Sequence, residues 1–141
     1  MLYGDRNSMR QVFVDAFRKT RDGKALSPME QIIAAVISEH PEYHDILEAG
    51  AVNSDYPVEQ GRTNPFLHMA MHITIREQVS IDRPAGIAAA WRQLSLQSGD
   101  SHRAEHLMLD CLAEMLLQAQ RDGMLPDENA YVDAVGRLIQ M

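Results

Sequence analysis

Along the 141 residues, apolar positions recur every three or four residues between short polar breaks, and no stretch keeps the two-residue alternation of a strand. Asn7 or Ser8 opens a first helix carrying Val12, Phe13, Ala16 and Phe17, and Asp22-Gly23 stops it. Ser27-Pro28-Met29-Glu30 combines a cap, a proline at the first helical position and a glutamate at the third. A second helix therefore runs with Ile32, Ile33, Val36 and Ile37 to Glu39. His40-Pro41 then breaks the chain, because the residue before a proline is pushed out of the α region. A short helix follows to Ala49, stopped by Gly50, and residues 50–63 read as the longest irregular segment.

Asn64-Pro65 starts a helix to Ser80, and Asp82-Arg83-Pro84 opens the next, which ends near Ser98-Gly99. Asp100 or Ser98 caps a long helix to Arg121, ended by Gly123, and Asp127 begins the last, which runs to Leu138 or beyond. The pattern predicts an all-α fold, a single-domain helical bundle of six to seven helices over residues 1–141. Residues 66–75 and 107–117 are apolar almost all round, which predicts the two central helices. Between Phe66 and Ile73 only His68 and His72 are polar, so their ring nitrogens need partners.

Composition narrows the field. Hydrophobic residues make up 45% and charged residues 23%, the mixture of an ordinary globular domain. No apolar run approaches the ~20 residues that span a bilayer, so a membrane is not an expected partner. The N-terminus lacks the basic-then-apolar order of a secretory signal, and one cysteine, Cys111, forms no internal disulfide. Both point to the cytoplasm. A net charge of −7, one tryptophan and no basic cluster set nucleic acid aside.

The six histidines fall into three pairs of one spacing: His40 with His44, His68 with His72, and His102 with His106. Residues four apart share a helix face, with Cβ atoms about 5–6 Å apart, so each pair offers two imidazoles to one point. Imidazole is the commonest metal-binding side chain, and its neutral form is the ligand. Short links on either side of the 84–97 helix make the 64–80 and 100–121 helices parallel. His68, His72, His102 and His106 are then expected at one level of the bundle. His40 and His44 belong to the candidate ligands too, at a distance that the 50–63 segment leaves open. His102-Arg103-Ala104-Glu105-His106 has the His-x-x-Glu-His form in which a glutamate beside two ligands activates water, which makes Glu105 the candidate general base. Asp110, one turn beyond His106, is a second carboxylate candidate. Cys111 and the methionines at 69, 71, 108 and 115 are expected to fill core. Tyr43 and Tyr56 can line a pocket, with surface packing the first expectation for both, and Arg62, Arg76 and Arg83 can hold an anionic ligand, with solvated faces or salt bridges as the default.

The strings His40-Pro41-Glu42-Tyr43-His44, Asn64-Pro65-Phe66-Leu67-His68 through Met71-His72, Asp82-Arg83-Pro84 with Gly86-Ile87, and Ala104-Glu105-His106 through Gln120-Arg121 resemble a small bacterial family known as domain of unknown function 1841. The resemblance covers essentially the whole chain and implies a stand-alone cytoplasmic protein. It brings no activity, substrate or catalytic residue with it.

The residues themselves predict a transition-metal site, with zinc or iron first among the ions that suit nitrogen ligands. Three histidines and an open position suit a metal-dependent hydrolase or transferase acting on a small molecule. Small helical bundles with three-histidine sites, of the family named after damage-inducible protein B, offer a fold-level analogy. The other reading is a non-enzymatic interaction or scaffold protein whose paired histidines are structural. Oligomeric state is left open, a homodimer included.

Overall fold

The polar breaks become helix ends in the computed structural model, which describes residues 6–50 and 64–139. The helices are α1 (Arg6–Arg21), α2 (Pro28–Ser38), α3 (His44–Ala49), α4 (Pro65–Ile81), α5 (Ile87–Ser98), α6 (Ser101–Asp122) and α7 (Glu128–Ile139). A 3-10 turn, Pro41–Tyr43, joins α2 to α3. The described residues contain no strand, and the fold is all-α. No helix among them is long and apolar enough to cross a membrane. The expected irregular segment, with Tyr56 and Arg62, lies outside the described residues apart from Gly50.

Local chemistry accounts for the boundaries. The Ser27 hydroxyl accepts from the Glu30 amide at 3.2 Å, while the Glu30 carboxylate accepts from the Ser27 amide at 2.9 Å, a closed capping box. Asp100 accepts from the amide of His102 and Asp127 from that of Ala130, which fixes the starts of α6 and α7. Gly50, at φ 66°, takes the left-handed conformation that ends α3. Asp82 acts at longer range than expected: its carboxylate accepts from the amides of both Gly86 and Ala88, so α5 begins only at Ile87.

The chain divides into two compact units, Met1–Ile73 and Thr74–Met141, and the division falls inside α4. In the first unit α1 packs on α2 and α3 around Phe13, Ile33, Val36, Leu47, Phe66 and Met69. Phe13 and Phe66 meet edge to face at 6.1 Å. Lys19 on α1 bonds Glu30 on α2 at 2.7 Å. In the second unit α5, α6 and α7 pack on one another through Leu94, Met108, Leu112, Tyr131 and Val135. The Tyr131 hydroxyl donates to the Gln78 side-chain oxygen at 2.7 Å.

One expectation is corrected. The apolar run 107–117 does not form a helix buried on every side: Met108, Leu109 and Leu112 are buried, but Leu116 and Leu117 are 44% and 51% exposed. The buried face of α6 ends near Leu112, and its C-terminal half leaves Leu116 and Leu117 facing water.

Candidate metal centre

In the first unit the break at His40-Pro41 positions an imidazole. Pro41 starts the 3-10 turn, and His40 precedes it as the cap residue, 2% exposed. The His40 Nδ1 lies 2.7 Å from the Val36 carbonyl oxygen. A carbonyl only accepts, so Nδ1 carries the proton and Nε2 keeps its lone pair. A ring held this way, with one nitrogen donating to a backbone carbonyl, is the usual support for a metal-binding imidazole.

Two further rings meet it. His68 and His72, one turn apart on α4, have ring centroids 5.1 and 4.7 Å from that of His40. The His68 and His72 Nε2 atoms are 3.3 Å apart. Each of the three residues offers a ligand atom within 4.8 Å of the others. Bonds of about 2.0–2.1 Å at tetrahedral angles put neighbouring nitrogens ~3.3–3.4 Å apart, so the His68–His72 spacing is that of two ligands on one ion. Tyr43 stacks on His40 at 5.7 Å with the rings nearly parallel, and its edge-on distance to His68 is 6.1 Å. Burial and then the nearby Glu42 carboxylate hold the Tyr43 phenol above its ordinary pKa, so it stays protonated near neutrality.

His44 does not point into this cluster. Its Nε2 is 3.0 Å from the Ile37 carbonyl oxygen, and its ring packs 5.3 Å from that of Phe17. The 3-10 turn separates it from His40, so the two do not share the continuous helix that would put residues four apart on one face.

The second unit holds the third pair. His102 and His106 sit near the start of α6 with their Nε2 atoms 3.1 Å apart. Glu105 is 5% exposed, and its carboxylate accepts from the Arg76 Nε–H at 3.0 Å. Asp110 is exposed and lines a separate cavity, together with the half-buried Cys111. Met69 and Met108 are wholly buried.

Comparison with protein families supplies the membership. The chain matches a family described only as a domain of unknown function, DUF1841, over residues 5–137. It belongs to that family. No curated protein and no solved structure matches it.

In this DUF1841 chain the donor set is chemically uniform: the candidate group contains only histidines among the described residues. Neutral nitrogen donors suit zinc, iron, nickel or copper and bind magnesium or calcium poorly. Two features escaped the sequence. Tyr43, half-buried, belongs beside the cluster, where it stacks on His40 across the proline-started turn. Glu105 pairs with Arg76, and a separation of 29 positions along the chain carried no local sign of it.

Proposed function

We propose that this DUF1841 protein binds a transition-metal ion through His40, His68 and His72, and that zinc or iron is the ion. The observation that carries the reading is the Nδ1–H of His40 on the Val36 carbonyl, which leaves its Nε2 lone pair for an ion beside His68 and His72.

A chain with three imidazole ligands can run water-activating chemistry on a small molecule, as a hydrolase or transferase. Glu105 is the proposed general base in that version of the reading. Arg76 fixes the orientation of its carboxylate, which a base needs in order to meet a proton at hydrogen-bond distance.

Elemental analysis of untagged protein, as purified and after reconstitution with zinc, iron and nickel, tests the proposal. About one equivalent of a metal is expected. Less than roughly a tenth of an equivalent of every metal defeats the reading and leaves six structural histidines.

A further inference from the structure

Two independent features of the second unit meet in one place. The first is a cavity of about 560 Å³ between α6 and α7, within the ~300–1,000 Å³ range of small-molecule sites. Its walls include Cys111, Met115, Ala119, Met124, Leu125 and Tyr131. Tyr131 is wholly buried, while Met124 and Leu125 are 72% and 90% exposed, so apolar surface continues from the cavity out to water.

The second feature is charge. Asp110, Glu114, Asp122 and Asp127 line the same cavity, against a single cation, Arg137. Glu114 is engaged by Arg121 at 3.5 Å, and Asp127 caps α7. Asp110 and Asp122 are exposed and have no ion-pair partner among the described residues. They stand twelve residues apart on α6, or ~18 Å of helix rise, and both line the cavity.

We propose that this cavity is a second binding site, for an amphiphilic cation: an extended apolar chain bearing an ammonium group. The apolar walls take the chain, because burying it removes hydrocarbon from water. The unpaired carboxylates choose the charge, since an anion of equal length meets an acidic rim. A second copy of this face is a poor occupant, because it brings four more carboxylates to the same place. The site is separate from the histidines and does not depend on whether they hold a metal.

Cys111 reports on it directly. It is the only cysteine of the chain and lies on the cavity wall, so alkylation by iodoacetamide is site-specific. The measurement is its alkylation rate in the full chain, with dodecyltrimethylammonium or dodecanoate added below micelle-forming concentrations, each variant referred to its own ligand-free rate. The cation should slow alkylation at least about three-fold at saturation, and dodecanoate should protect far less. Asp110→Asn and Asp122→Asn, both at exposed positions, should each weaken the apparent affinity for the cation about two- to three-fold. The proposal is overturned by absent protection, by faster alkylation from loosening of the fold, by equal protection from dodecanoate, or by unchanged affinity in both variants.

Discussion

The Nδ1 atom of His40 lies 2.7 Å from the carbonyl oxygen of Val36, one helical turn earlier in the chain. This one bond settles which nitrogen of the ring carries its proton. It also turns a residue that the sequence left at an undetermined distance into the best-supported ligand of the cluster, because the ring is immobilised and its other nitrogen is a Lewis base.

Ligand variants should separate His40 from His44. His40→Ala, His68→Ala and His72→Ala are each expected to lower metal content at least about ten-fold after dialysis, since loss of even an outer-shell support of a ligand costs about 10–100-fold in affinity. His44→Ala should keep the metal and lose ~1 kcal/mol of stability, for the bond to Ile37 and the packing on Phe17. Elemental analysis and urea titration on the same samples measure both effects. Equal metal loss in all four variants excludes the assignment of His44 to a structural role.

The Arg76–Glu105 pair gives an asymmetric pair of variants. Arg76→Ala removes an ion pair whose carboxylate is 6% exposed, at a cost on the order of 2–3 kcal/mol, below the ~3–5 of a fully buried pair because Arg76 itself is 23% exposed. Glu105→Gln keeps the shape of the side chain, so it should retain metal while removing any hydrolytic turnover found by substrate screening. Activity that survives in Glu105→Gln removes Glu105 as the base.

Alkaline stability should depend on Tyr131. Burial raises its phenol far above the ordinary value of 10.0, with a smaller contribution from Cys111. The folded state therefore binds the phenolic proton more tightly than the unfolded chain does. That stability is fully present below pH ~10 and is lost as pH rises further. Tyr131→Phe should cost about 1–2 kcal/mol at pH 7, because the buried contact with Gln78 loses its donor, and should flatten the decline above pH ~10. Denaturant midpoints from pH 7 to 11 provide the check.

The thiol of Cys111 should react slowly. Burial and then the Asp110 carboxylate raise its pKa above the ordinary 9.0, with Arg137 opposing them. Its alkylation rate should therefore rise with pH later than that of a free cysteine, and Asp110→Asn should move the profile down. A pH–rate profile that coincides with that of a free thiol contradicts the raised value.

Local sequence chemistry determined the helices of this protein. The Ser27–Glu30 box, the aspartates at 100 and 127 and the glycine at 50 act within one turn, through bonds between near neighbours, so their effects are written in adjacent residues. The closeness of His68 to His72, and of His102 to His106, follows in the same way from the pitch of a continuous helix. Tertiary structure alone decided the remainder. His40 turns towards His68 and His72 while His44 turns to the Ile37 carbonyl, because a 3-10 turn interrupts the helix between them and the packing of α4 within the first unit supplies the partner rings. Arg76 reaches Glu105, and Leu116 and Leu117 stay in water, for the same kind of reason. Periodicity says which residues share a face, but the face that is covered depends on helices brought together from distant parts of the chain.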